Sequence, residues 1–339
     1  MKFIIDNKIP FIHGVLEPYA EVVYAPGAAT DAALVKDADA IISRTRTKCN
    51  ADLLSGSTVK MIATATIGYD HIDRDYCERH HILWENAPGC NADAVVQYVF
   101  TALGRLLGQH LEGLTLGVVG VGNVGSRVAN FAERLGMQVL RNDPPRAEVE
   151  GEEGFVSLQE LQQKADIITF HTPLTHSGKY PTYHLCDADF LAGLSKKVCL
   201  INAARGEVCD SSALLTAKKN AQLSHLVIDC WENEPEINTE LLAHTDIGSF
   251  HIAGYSMEGK ANATTMAVQA ISRFFDLGLD QWKVILPPNP HKDLAHLPPM
   301  EQLLQSYDIM ADDKALREHP EHFEQLRGNY NYRRQPLCI

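Results

Sequence analysis

The octet Val118-Val119-Gly120-Val121-Gly122-Asn123-Val124-Gly125 constrains this 339-residue chain more than any other stretch. A β-branched apolar run enters it at Leu116, and helix-spaced apolar positions leave it from Val124 to Leu135, so a strand is predicted to turn directly into a helix. The glycines have separate mechanical tasks: Gly120 permits the tight turn, Gly122 lets backbone approach a pyrophosphate, and Gly125 lets helix pack close to strand. The first N–H groups of the helix then face the anion. A second strand is predicted at 137–140. Asp143 follows it, about 20 residues beyond the glycines, where a carboxylate bonds ribose hydroxyls and repels a 2′-phosphate. That position predicts NAD over NADP, although Asp143-Pro144-Pro145 by itself reads as the start of a turn.

The motif lies about a third of the way along the chain, so a doubly wound parallel-sheet Rossmann domain is predicted to be inserted into another α/β domain. Before it, apolar runs at 3–5, 22–24, 40–43, 61–64 and 82–84 alternate with helical stretches such as 31–36, the pattern of a flavodoxin-like parallel sheet. Pro88-Gly89 breaks the chain, and Asn91-Ala92-Asp93 is predicted to cap an apolar helix running to about residue 111. Further strands at 167–170, 198–202, 226–229 and 246–249 complete six, and a long helical stretch at 257–277 returns the chain to the first domain. The expected organisation is a substrate-binding domain (1–90 with 254–285), a nucleotide domain (91–253) and a C-terminal segment (286–339), with cofactor and substrate meeting in the cleft between the two domains. The last segment holds Leu297, Met300, Leu303, Leu304, Tyr307, Ile309 and Met310, too many apolar groups for water and too few for a core of their own. They must be buried against the main body or against a second copy, and a homodimer is the expectation.

A formal net charge of -13 without a long basic stretch argues against nucleic-acid or anionic-membrane partners. No apolar run approaches about 18 residues, and Met1-Lys2-Phe3-Ile4-Ile5-Asp6 reads as a strand interrupted by charge, not as a signal peptide, so a cytoplasmic protein is expected. The eight cysteines lack C-x-x-C spacing and several lie in apolar runs, which predicts reduced thiols. The 15 histidines include the pairs His80-His81 and His319 with His322, but no paired ligand sets resemble a zinc site, so no metal is expected.

Open α/β sheets place ligands at the carboxyl ends of their strands. Three polar groups fall there. Asn202-Ala203-Ala204-Arg205-Gly206 sets an arginine in a small-residue turn, where a planar guanidinium grips a carboxylate bidentately. Asp229-Cys230-Trp231-Glu232-Asn233-Glu234-Pro235 sets carboxylates after the next strand, and Ser249-Phe250-His251-Ile252-Ala253-Gly254 sets a histidine after the one following. A clamp, an orienting acid and a base would thus converge.

At these residues the chain resembles the D-isomer-specific 2-hydroxyacid dehydrogenases, with their N-x-x-R-G turn, their glutamate before proline and their histidine after the last nucleotide-domain strand. Four further blocks, 64–71, 87–92, 170–174 and 251–260, are similar to the branch of that family that oxidises C2 of 4-phospho-D-erythronate on the way to pyridoxal phosphate. The resemblance implies NAD as cofactor, no metal, and Arg205, Glu234 and His251 as the catalytic set. It implies cofactor contacts at Gly120, Gly122, Asn123, Val124, Gly125, Asp143, Thr172, Ala203, Asp229 and Gly254, and substrate contacts at Thr45, Thr66 and Tyr255. Within Ser43-Arg44-Thr45-Arg46-Thr47-Lys48, Arg44 or Arg46 is the candidate for the substrate phosphate, with Arg333 and Arg334 expected to reach it across a dimer. The resemblance runs from Met1 to about Arg334, and members of the family are expected to continue further through a C-terminal dimerisation domain. Two other readings share the motif: another dehydrogenase of the family, such as one acting on 3-phosphoglycerate, and a non-catalytic NAD-sensing protein.

Overall fold

The computed structural model describes residues 1–339, which divide into two compact units: Met1–Asn91 with Ser256–Pro288, and Ala92–Tyr255 with Asn289–Ile339.

The first unit is built on five parallel strands, β1 (Lys2–Asp6), β2 (Glu21–Ala25), β3 (Ala40–Ser43), β4 (Met61–Thr64) and β5 (Leu83–Glu85), in the flavodoxin-like order β2-β1-β3-β4-β5. In register, Ile4 lies between Val23 and Ile41. The central strands read as continuous apolar runs because both faces are covered. Phe3, Ile5, Ile42 and Met61 pack with Ala263, Ala267 and Ile271 of the helix Met257–Phe275, while Ile4, Ile41 and Ile62 pack on the other side with Val35, Leu53 and Cys77. Ser256 caps that helix, its Oγ accepting from the Gly259 N–H at 2.9 Å. Asn91, expected to cap the earlier helix Ala92–Leu107, makes no such bond: its Oδ1 is buried without a partner.

The second unit carries β6 (Thr115–Val119), β7 (Gln138–Asn142), β8 (Ile167–Phe170), β9 (Val198–Asn202), β10 (Leu223–Ile228) and β11 (Ile247–Gly248), ordered β11-β10-β9-β8-β6-β7 and all parallel. Val119 of β6 lies between Asn142 and Phe170, so the chain turns out of β6 where the strand order reverses, the position at which such sheets bind nucleotides. The sheet lacks the strand that usually lies outside β7. Only Val156 takes that place, its N–H donating to Arg141 O and its carbonyl accepting from Asn142 Nδ2, both at 2.8 Å. The helix Ala92–Leu107 stops short of the predicted end because Gly108 takes a φ of +88°.

The C-terminal segment corrects an expectation. Its helices Pro299–Ser306, Ile309–Glu318 and Phe323–Gly328 bury Met300, Leu303, Tyr307 and Ile309 in the same core as Val96, Val99 and Leu103, and Leu316 and Phe323 beside Leu241 and Phe250. Of the apolar positions expected to face a second copy, only Met310 is exposed, at 40%. Arg333 does not reach outward either. It is 8% exposed and its guanidinium donates to the carbonyls of Ala94, Ile252 and Ala253 and to Gln97 Oε1, lying 4.4 Å from the centre of the Tyr307 ring. The physical reason is the turn at 252–253, whose buried carbonyls need a donor with several N–H groups in a fixed fork. Arg317 repeats the device, donating to Asp313, Leu242 O and Thr245 O at 2.7–2.8 Å. No helix is long and apolar enough to cross a membrane.

Candidate active site

The glycine turn has the geometry its sequence predicts. Gly120 has a φ of +85°, and a Cβ there would stand 2.8 Å from Thr172 N; a Cβ on Gly125 would stand 1.9 Å from Gly120 O. Gly122 would meet nothing within 4 Å, so that face of the turn is open. Gly122 is also the N-cap of the helix Asn123–Arg134 and supplies no side-chain acceptor, which leaves the N–H groups of Asn123 and Val124 without intrahelical partners. At the end of β8, Thr172 Oγ1 and His171 Nδ1 are buried without hydrogen-bond partners. Buried orphans of this kind are uncommon, and a bound ligand is one way of completing them. The open glycine, the free helix N-terminus and the orphaned hydroxyl together fit a dinucleotide. Asp143 stands at the end of β7 with both carboxylate oxygens engaged: Oδ2 accepts from Val121 N (2.8 Å), tying down the glycine turn, a contact the sequence did not disclose, and Oδ1 accepts from Arg146 N (3.2 Å), capping the helix Pro144–Glu150 as the turn reading expects.

The ends of β9, β10 and β11 bring the predicted polar groups together within the second unit. His251 Nδ1–H donates to Glu234 Oε2 at 2.8 Å, and Glu234 Oε1 accepts from Trp231 N at 2.9 Å. The carboxylate is thus held at both oxygens. Burial pushes the Glu234 carboxyl up, but His251, the Trp231 N–H and the Arg327 charge outweigh it and hold the group below its ordinary value. Both side chains are presented by unusual backbone, with φ of +61° at Asn233 and +59° at His251, conformations that cost energy and cluster at functional sites.

Arg205 follows β9. Its turn abuts the glutamate turn because residue 206 is glycine: a Cβ there would stand 1.9 Å from Trp231 O. Asn202 Nδ2 donates to Arg205 O (2.9 Å) and Cys230 O (3.2 Å), joining the two turns. Ala203 follows β9 in the same turn and is half-buried. Asp229, 1% exposed, has a role the sequence did not disclose. Its carboxylate accepts from Ser249 Oγ (2.6 Å), Ile252 N (2.7 Å) and Ala253 N (2.9 Å), and Tyr98 Oη lies 2.7 Å from Ser249 Oγ. Asp229 therefore fixes the loop that carries His251 and leads into Gly254 and Tyr255. Cys230 Sγ gathers with Glu234 and His251 closely enough to be a ligand set, a grouping that needs the fold to bring His251 in, as do the exposed His319, Glu321 and His322, which are neighbours in sequence.

Arg44, Thr45 and Thr66 stand at the ends of β3 and β4 in the first unit. Arg44 Nη1 donates to Lys8 O at 3.3 Å, Thr45 and Arg46 are exposed, and Thr66 Oγ1 lies 2.8 Å from Thr64 Oγ1 and donates to Gly68 O. Sequence reasoning missed His71, whose Nε2 lies 3.3 Å from Ser43 Oγ and 3.2 Å from Thr64 Oγ1; burial pushes its pKa down against the pull of Asp70. It also missed Tyr98, Ser249 and Arg327. The signal for His71 was its place in the block 64–71 and for Ser249 its place two residues before His251, whereas Tyr98 and Arg327 are distant in sequence from the motifs they support.

Residues 91–252 match the family described as D-isomer specific 2-hydroxyacid dehydrogenase, NAD binding domain. The chain is 51% identical to an erythronate-4-phosphate dehydrogenase of Bacteroides thetaiotaomicron over 99% of its own length and 97% of the relative's. It is 43% identical to one from Escherichia coli O157:H7, over 99% and 92%. Among solved structures, D-lactate dehydrogenase from Aquifex aeolicus, complexed with NAD and lactic acid, superposes with a TM-score of 0.69 at 27% identity, covering 85% of this chain and 100% of that one.

Proposed function

The chain belongs to the erythronate-4-phosphate dehydrogenases, within the D-isomer-specific 2-hydroxyacid dehydrogenase family, and from that premise we propose how its residues carry out the reaction. It is an NAD-dependent dehydrogenase of CH–OH groups, oxidising C2 of 4-phospho-D-erythronate to the 2-oxo acid in pyridoxal 5′-phosphate biosynthesis. NAD, when bound, supplies the acceptor for the C2 hydride.

Gly120, Gly122, Asn123, Val124 and Gly125 hold the pyrophosphate through backbone, Asp143 the adenosine ribose, and Thr172, Ala203 and Gly254 the remainder of the dinucleotide. Asp229 reaches the nicotinamide only with lone pairs left over from fixing the 249–253 loop. Arg205 grips the C1 carboxylate and polarises the C2 oxygen, an electrostatic role that grows as the carbonyl forms. His251 Nε2 takes the C2 hydroxyl proton. Glu234 holds the ring in the tautomer that leaves Nε2 free to accept, and stabilises the imidazolium that results. Thr45, Thr66 and Tyr255 are assigned to the substrate by the same reading. No metal ion takes part in these steps.

The observation that carries the reading is the His251–Glu234 hydrogen bond beside the Arg205 turn. A cytoplasmic homodimer is part of the proposal, with its contact outside the buried C-terminal apolar positions. The test is NADH formation from 4-phospho-D-erythronate, with light scattering for the dimer: turnover confined to other 2-hydroxy acids would overturn the substrate assignment.

A further inference from the structure

The substrate in this reading has an anion at each end. Arg205 serves the carboxylate, and the phosphate needs a second cation. Arg327 on the helix Phe323–Gly328 meets the description. Its side chain is only 21% exposed, and its Nε is buried with no hydrogen-bond partner. Its guanidinium lies 5.8 Å from the centre of the Tyr255 ring, over a residue already assigned to the substrate. The Glu324 carboxylate stands 3.8 Å from Nη1, at the loose end of an ion pair, and its side chain is 37% exposed. The Arg327 charge is also felt at Glu234 and Cys230, which places it at the catalytic end of the second unit.

This arrangement contrasts with the other buried arginines of the segment. Arg333 and Arg317 spend their donors on backbone carbonyls and stitch the segment down. Arg327 keeps a buried N–H unused, which is costly unless a ligand completes it. A guanidinium near an aromatic face is steadied there while its N–H groups remain available for an oxyanion.

We propose that Arg327 binds the phosphate dianion of the substrate, so that the C-terminal segment is a specificity element as well as a structural one. The proposal rests on the functional reading above. It also displaces Arg44 and Arg46 as first candidates, since neither shows an incompletely satisfied buried donor.

Arg327→Gln and Arg327→Lys are compared with the unaltered protein in two measurements, with thermal melting to confirm folding. The first is the ratio of kcat/KM for 4-phospho-D-erythronate to that for D-erythronate at saturating NAD. The ratio should fall about 10- to 100-fold in the Gln variant and less in the Lys variant, the range of one or two charge-assisted hydrogen bonds. The second is titration of inorganic phosphate into NADH-loaded protein, followed by NADH fluorescence, which does not depend on turnover. Affinity for phosphate should drop about tenfold or more in the Gln variant. A ratio and a phosphate affinity that match the unaltered protein overturn the proposal, as does an equal loss on both acids, the mark of a structural role. Unaltered protein inactive on both acids refutes the functional reading instead, and the phosphate titration then decides for or against Arg327 alone. Should the Gln variant fail to fold, the Lys variant, which keeps the charge and loses the fork, decides by the same two readouts.

Discussion

Glu234 Oε2 and His251 Nδ1 stand 2.8 Å apart although each projects from a different strand end, and both are delivered by left-handed backbone at Asn233 and His251. The hydrogen bond leaves the opposite ring nitrogen as the acceptor for a substrate proton. Replacing His251 by Ala is expected to reduce hydride transfer on the order of 10²-fold or more while NADH affinity stays within about twofold, because His251 acts on the substrate proton. Single-turnover kinetics and an NADH titration check the two halves. A full-speed variant would remove His251 from the mechanism.

Glu234→Gln keeps the shape of the acid but not its charge. The expected loss in kcat is on the order of 10²-fold, since the imidazolium formed in the reaction loses its counter-charge. The folded protein holds the Glu234 carboxyl below its ordinary value of 4.5, so the stability it contributes is fully present above about pH 4.5 and is lost as pH falls through the lower folded value. Thermal melting across the acid range should therefore fall more steeply in the unaltered protein than in Glu234→Gln. Parallel curves would contradict this.

Asp143 serves the glycine turn and a helix cap as well as the ribose. Asp143→Ala is expected to weaken NAD binding about tenfold, to weaken NADP binding less, and to cost about 1 kcal/mol of stability through the lost cap. Calorimetry with both cofactors decides: an unchanged NAD-to-NADP ratio would show that Asp143 is structural only.

Much of this was legible in the sequence, and the reasons differ by feature. The parallel strands were readable because buried strands are continuous apolar runs, and the glycine turn because each glycine answers a local steric demand. The placement of Arg205, Glu234 and His251 beyond the strand ends was readable because each follows a buried apolar run. The backbone pairing of Val156 outside β7 was not, since a single paired residue leaves no apolar run. Nor was the fate of the C-terminal segment. Apolar spacing shows that Met300, Leu303 and Tyr307 must be covered, but not by what, and a surface arginine and a buried staple such as Arg333 look alike in one dimension. Arg327 and the loop-fixing bonds of Asp229 were missed because their partners lie far along the chain.

Arg333 should behave as a staple. Arg333→Ala strands the carbonyls of Ala94, Ile252 and Ala253 in a buried site, at about 1–3 kcal/mol for each acceptor that finds no water. A clear drop in melting temperature is expected, and chemical denaturation gives its size. A melting temperature unchanged from the unaltered protein would show that these bonds contribute nothing net.

The central claim is that this chain oxidises a phosphorylated 2-hydroxy acid through the Arg205, Glu234 and His251 set. The most direct test is a steady-state assay with NAD and a panel of 4-phospho-D-erythronate, 3-phosphoglycerate and D-lactate, run on the unaltered protein and on His251→Ala. The account predicts NADH formation with kcat/KM highest for 4-phospho-D-erythronate, and its loss in the variant. Higher kcat/KM for 3-phosphoglycerate or D-lactate, no turnover of any acid, or turnover that survives in His251→Ala would contradict it.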